Sequence, residues 1–322
     1  MPASKATARP PLKPAFHSQP ATFIPGVKNI RRPVESRVIS KPIMIGPDVS
    51  NGGETEKVGV LALMRSLERE LAAKPRHLSP ESMDLYFEAL DARSEEDQFE
   101  MVHRAFQLDP GNIDAILLLL GYLPMSPDDE IELLRKTVAL GEHQLGEKLF
   151  QDCAGHFWGI FETRPYMRAR EQLAASLRDF GELEAAIREW QAMLELNPFD
   201  NQGIRHSLLP ALLTAGDIKA AAALQEKYED ARYNTVFAWC RVLERFLSGD
   251  PEGADEALAH ARRQNPNTEF WLRGRRKLPN EIPDMYSPGS REEALFFAQD
   301  LREAWEAHPE ARAWLLKQKS PS

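Results

Sequence analysis

The chain has 322 residues, enough for one large domain or two ordinary ones. Its 40 Lys and Arg against 49 Asp and Glu leave a net charge of -9, which speaks against general nucleic-acid binding, since that needs a basic face. Cys153 and Cys240 are too few for a disulfide framework or a cysteine zinc site, and no apolar run nears the roughly 20 residues of a membrane span.

The first 57 residues stand apart. They hold nine Lys and Arg, four Asp and Glu and nine of the 24 prolines. Such proline density removes backbone donors and breaks any 3.6-residue periodicity, so 1–57 reads as a disordered basic arm ending at Asn51-Gly52-Gly53. The absence of acids before Glu35 suggests a transit peptide, but Pro10, Pro11, Pro14, Pro20 and Pro25 preclude the amphipathic helix such signals use.

From Val58 the pattern is helical throughout. Leu61, Met64, Leu67 and Leu71 fall on one helix face. Met83, Tyr86, Phe87 and Leu90 form another after a Ser79-Pro80 start, and Phe99, Val102, His103 and Phe106 a third. No stretch alternates as a strand would, so the expected fold class is all-α.

The helices repeat with a period of 34. Ala186, Ala220 and Ala254 step by 34, as do Trp190, Leu224 and Leu258; Gly181 and Gly249 lie 68 apart, like Pro198 and Pro266. That is the period of tetratricopeptide helical hairpins, and it predicts an α-solenoid over 58–322. The best repeats are 167–198, 201–232 and 235–266, with a weaker unit at 79–110 and a C-terminal capping helix over 290–318. Ser290 and Glu293 mark the start of that last helix as a capping box. The register breaks once, around 141–165, and Pro210 should kink or shorten its helix.

The break contains HFWGIFETRPYMRAR (156–170), and the chain later carries MLELNPFDNQGIR and NPNTEFWLRGRRKLP. With these motifs, residues from about 80 to 322 resemble bacterial tetratricopeptide-like proteins related to the suppressor of tumorigenicity 7 family. The resemblance implies a helical repeat protein without an established catalytic activity.

Several clusters are candidates for binding. Arg164, Arg168 and Arg170 offer planar forks for carboxylate or phosphate, or else pair with local acids. Gln172, Asn201, Gln202 and Arg205 suit recognition of an extended peptide; the competing reading of Asp200 and Asn201 is helix capping. A secondary basic patch holds Arg273, Arg275, Arg276 and Lys277, with Arg262 and Arg263 nearby. His156 and Glu162 form a weak acid–base pair; a core histidine among Phe157, Trp158 and Phe161 is the alternative. Cys240 reads as a buried, inert thiol. No metal-ligand spacing and no nucleotide or hydrolase motif occurs.

The resulting expectation is a cytoplasmic, non-catalytic scaffold without a cofactor, holding a protein or peptide partner in a concave groove, with no nucleic acid and no membrane span. The alternative is an enzyme or small-anion sensor whose site is 156–170. The two readings differ in geometry: an open groove with Arg168, Gln172 and Asn201 or Arg205 pointing into it, or a closed pocket where His156, Glu162 and Arg164 converge.

Overall fold

The computed structural model describes residues 59–274, 277–279, 282, 283 and 285–319. The arm 1–57, together with Arg275 and Arg276, lies outside them. The fold is all-α: fifteen α-helices and no strand occur among the described residues.

Four helices form the first part: α1 Val60–Ala72, α2 Pro80–Leu90, α3 Glu95–Leu108 and α4 Ile113–Leu120. Ser79, Ser94 and Asn112 cap the last three by accepting a backbone N–H from three residues on, satisfying donors that a helix start leaves orphaned. α5, Pro127–Cys153, is interrupted at Gly146, whose φ of 69° and ψ of 157° no helix accommodates and which glycine adopts without a Cβ clash. Then come α6 Arg164–Asp179, α7 Leu183–Leu196, α8 Arg205–Thr214, α9 Ile218–Lys227, α10 Thr235–Leu247 and α11 Pro251–Gln264. Pro210 stands inside the short α8.

Two local devices recur along the chain. The first is the turn that closes α6, α8 and α10. Gly181 (φ 87°) donates to the Arg178 carbonyl while Glu182 reaches back to that of Leu177. Gly216 and Asp217 bond Leu213 and Leu212 in the same way, and Gly249 and Asp250 bond Phe246 and Arg245. This pair of bonds is the Schellman end, where the left-handed residue is most cheaply a glycine. The second device is an Asx-Pro turn after α3, α7 and α11. Asn112 N–H bonds the Asp109 carbonyl, Asp200 that of Asn197, and Thr268 that of Asn265. Proline at the second turn position fixes the required φ. All six of those polar side chains are buried.

The first device shows where the middle unit departs from the 34-residue step. The N-caps of α7, α9 and α11 are Glu182, Asp217 and Asp250. Counted from them, Ala186 and Ala254 correspond to Ala221, one residue later than Ala220. Ala221 is fully buried and Ala220 only partly. Likewise Trp190 and Leu258 correspond to Gln225, not Leu224.

Paired helices pack along the chain: α2 on α3, α4 on α5, α6 on α7, α8 on α9, α10 on α11. Each pair also touches the next, through α3–α4, α5–α6, α7–α8 and α9–α10, and the leading helices meet as α4–α6 and α8–α10. Trp190 and Trp239 are the large fully buried side chains of the later pairs.

Three expectations are corrected in detail. On α1 it is Leu63 that joins Met64 and Leu67 in the core, while Leu61 is 71% exposed. On α2, Phe87 faces outward and Ser82 and Ala89 face in. The span 290–318 is not one helix but three: α13 Arg291–Phe296, α14 Ala298–Glu306 and α15 Pro309–Lys317. They follow a short α12, Thr268–Leu272. Ser290 does cap α13, and buried Glu293 accepts from the Gly289 N–H, Thr235 and Asn265. α14 folds back across α8 and α10, burying Leu301, Ala304 and Trp305.

Candidate functional site

Residues 156–163 form two 3-10 turns, Phe157–Gly159 and Phe161–Thr163, between α5 and α6. Buried Thr163 holds them by donating its hydroxyl to the carbonyls of Phe157 and Ile160. Phe157 is fully buried against Phe150, which in turn meets Tyr166 edge-on at 5.3 Å. Half of the aromatic motif is therefore packing. The other half faces outward. Phe161 is 54% exposed, and the Arg164 guanidinium lies 5.5 Å from the Trp158 ring and 5.8 Å from that of Phe161.

His156 is exposed, not a core residue, and its ring stands 6.3 Å from that of exposed Phe199. Glu162 is exposed as well. No hydrogen bond or ion pair joins His156, Glu162 and Arg164 among the described residues, so the three do not converge.

The arginines of α6 divide by partner. Arg164 donates its Nε to the Trp158 carbonyl at 3.0 Å and meets no carboxylate among the described residues. Arg168 makes a bidentate pair with Asp114 on α4, at 2.7 and 2.6 Å. Burial opposes the Arg168 charge, but the Asp114 carboxylate outweighs it and holds the pKa above its ordinary value. Burial, helped by Asp114, also pushes Tyr86 on α2 up to about 12. Arg170 donates twice to Glu189 on α7 and once to the Tyr166 hydroxyl.

The turn 197–205 is organised by Asp200. Its carboxylate is 4% exposed and accepts the N–H groups of Ile204 and Arg205, so it is this residue that caps α8. Burial pushes it up to about 6 against the opposing pull of Arg205 and the backbone donors. The Arg205 guanidinium lies 3.6 Å from Asp200 and 5.0 Å above the Tyr228 ring. Gln202 donates to Glu171 at 2.8 Å. Gln172 is half-buried and Asn201 exposed, and neither hydrogen-bonds through its side chain within the described residues.

Of the secondary basic patch, Arg273 joins the nearby Arg262 in a clamp, while Arg275 and Arg276 lie outside the described residues. Arg262 and Arg273 both pair with Glu269, which is 3% exposed, and both reach carbonyls at the end of the described chain, Lys319 and Gln318. Burial alone would raise the Glu269 pKa; the two guanidiniums bring it below its ordinary value. Lys277 is exposed.

A further feature escapes the linear reading. A cavity of about 260 Å³ opens between α9, α10 and α11, lined by Arg232, Arg241, Arg245, His260 and Gln225 among others. Its arginines are scattered over 14 residues, so no local run announces them. The one sequence signal is Gln225 at a position where the neighbouring repeats carry Trp190 and Leu258.

No group of three or more metal-ligating side chains occurs among the described residues. Nor is any described helix long and apolar enough to cross a membrane. No protein-family model matches the chain, and no curated protein shows significant similarity to it.

Proposed function

We propose that this chain is a non-catalytic protein-binding scaffold: a cytoplasmic α-solenoid of tetratricopeptide-like hairpins, of the kind its resemblance to the suppressor of tumorigenicity 7 family implies. Its partner is an extended protein segment or peptide, and it needs no cofactor. Stacked hairpins expose the face of their leading helices, and an extended chain laid across it meets side chains from several units at once.

The observation that carries this reading is a polar seam across successive units. Asp114 of α4 and Arg168 of α6 form its centre, with Tyr86 of α2 under the influence of both charges. Glu171 of α6 then links to Gln202 ahead of α8. The pairs within the seam hold one another in place, so their role is to shape the surface. The groups left to bind a partner are Gln172, Asn201 and Arg164, which lies over exposed Phe161, with Phe199 exposed as well.

A peptide-display selection against the full chain tests this. It should enrich a shared motif, and the triple substitution Arg164→Gln, Gln172→Ala, Asn201→Ala should weaken the winning peptide by at least about tenfold. No enrichment, or equal binding by the triple variant, would overturn the proposal.

A further inference from the structure

The cavity between α9, α10 and α11 lies where the repeat breaks its own pattern twice. Eight residues past the N-cap, α7 and α11 carry Trp190 and Leu258, both 2% exposed; α9 carries Gln225, also 2% exposed. Fifteen residues past the N-cap, the flanking units carry Asn197 and Asn265, which open their Asx-Pro turns; the middle unit carries Arg232 in a 3-10 turn. A unit that only needs to stack would keep an apolar residue and a turn former there. Both replacements are hydrogen-bond donors, and both line the cavity.

The Gln225 amide is the telling group. Its Nε2 is buried and donates to nothing among the described residues. A buried donor without a partner costs free energy, so this one calls for an acceptor from outside the chain, a water or a ligand. Three arginines line the same cavity. Arg241 gives one nitrogen to Glu244 at 3.2 Å, Arg245 one to Asp250 at 3.2 Å, and Arg232 one to exposed Glu229 at 3.1 Å. Their Nε and second Nη groups make no hydrogen bond among the described residues. His260 donates Nε2–H to the Arg232 carbonyl at 3.0 Å and helps fix that residue's backbone. Among the described residues three carboxylates, Glu229, Glu244 and Asp250, pair with these three arginines, so what the wall offers is the N–H groups those pairs leave over.

We infer that this cavity binds a phosphate monoester. Such a group presents three strong acceptor oxygens, which match the N–H groups that the three arginines and Gln225 leave without a hydrogen bond among the described residues. A single carboxylate has two acceptor oxygens and would leave more of these donors unmet. The volume, about 260 Å³, falls just below the usual range of small-molecule pockets, so the ligand is small or is one phosphorylated side chain of a larger molecule. The buried faces of Phe237 and Ala238 form the apolar wall on which the ester carbon would rest.

The test is titration calorimetry of the full chain with inorganic phosphate, O-phosphoserine and a phosphoserine peptide, at matched ionic strength in chloride, with thermal melting alongside. Saturable binding of phosphate and phosphoserine, with a rise in Tm, is expected. A peptide tighter than free phosphoserine identifies a phosphoprotein as the source; equal affinity identifies a small molecule. Arg241→Gln should weaken each phosphate ligand at least about tenfold. Arg232 is 56% exposed, so Arg232→Gln keeps the fold and carries the same expectation. Gln225→Leu should raise the unliganded Tm, by removing the orphaned amide, while lowering phosphate affinity. Flat titrations, or wild-type affinity in both arginine variants, would overturn the inference.

Discussion

Arg168, Arg170 and Arg178 of α6 and the three arginines around α10 differ in what the fold sets opposite them. On α6, Arg168 meets Asp114, Arg170 meets Glu189, and Arg178 meets both Asp179 and Asp300. Two of those acids come from elements distant in sequence, and the guanidiniums are 10–24% exposed. Around α10, Arg232, Arg241 and Arg245 are 30–56% exposed and share acids of their own neighbourhood. Forks closed by carboxylates from other helices tie the fold together; forks left partly open are free to hold something else. Residue type does not separate the two cases, and tertiary partners do.

The largest effect should come from Arg178. Its guanidinium joins α6 to α14 through Asp300, which is 5% exposed, at 2.6 Å. Burial opposes its charge, yet Asp300 and Asp179 hold its pKa above the ordinary value. Arg178→Met keeps the bulk and takes the guanidinium away from Asp179 and from buried Asp300. A loss of about 3–5 kcal/mol in urea unfolding is expected, the usual cost of removing one partner of a buried ion pair. Arg245→Gln, the matching change on α10, should cost under about 1 kcal/mol. Equal losses at the two positions would erase the contrast between the helices.

Asp200 offers a second contrast, since its own arginine, Arg205, does not offset its burial. The folded value of about 6 lies above the ordinary 3.8, so the folded state holds the proton more tightly than the unfolded one. This carboxyl therefore adds stability that is complete below about pH 4 and is lost as pH rises through 6. The shift corresponds to at most about 3 kcal/mol between the two limits. Asp200→Asn keeps an acceptor and tolerates the positive φ of 50°, but cannot titrate. Melting temperatures from pH 4 to 7 should fall less steeply with rising pH in the variant. Parallel curves would show that Asp200 does not carry the dependence.

Much of this architecture is legible in the amino-acid sequence. Helical periodicity identifies the all-α class, and Gly181 and Gly249 mark real Schellman ends because no other residue is as easily left-handed. Asx-Pro pairs mark real turns for a similar reason. The one-residue shift in the middle unit is hidden because Ala220 and Ala221, like Leu224 and Gln225, are adjacent candidates and a fixed 34-residue step selects the wrong member of each pair. Arginine roles are hidden further still. Asp114 lies 54 residues from Arg168, and Asp300 lies 122 from Arg178, so only the folded chain shows which forks are closed.

The shifted register can be tested directly. Ala221 is fully buried in the place that Ala186 and Ala254 hold in their helices. Ala221→Leu should therefore overpack the pair α8–α9 and cost about 1–3 kcal/mol, as Ala186→Leu should in α6–α7. Ala220 is only partly buried, so Ala220→Leu should cost less. A larger loss at 220 than at 221 in denaturant midpoints would restore the strict 34-residue step.

The smallest effect on stability belongs to Arg164, and its smallness is the point. This arginine sits within six residues of Arg168 and Arg170 yet has no carboxylate partner among the described residues; it is held by one carbonyl bond and by stacking over Trp158 and Phe161. Arg164→Gln removes the charge and the fork but keeps part of the apolar stem. Since no buried acid is left behind, the loss should stay within about 1 kcal/mol, the sum of one hydrogen bond and a weak cation–π contact. Arg168→Gln orphans Asp114, whose side chain is 12% exposed, and should cost two or three times as much. If partner binding then falls in Arg164→Gln while its unfolding midpoint holds, the cation is a recognition group. If the midpoint drops as far as in Arg168→Gln, Arg164 belongs with the closed forks of α6 and the exposed aromatic surface loses the cation that would make it a recognition site.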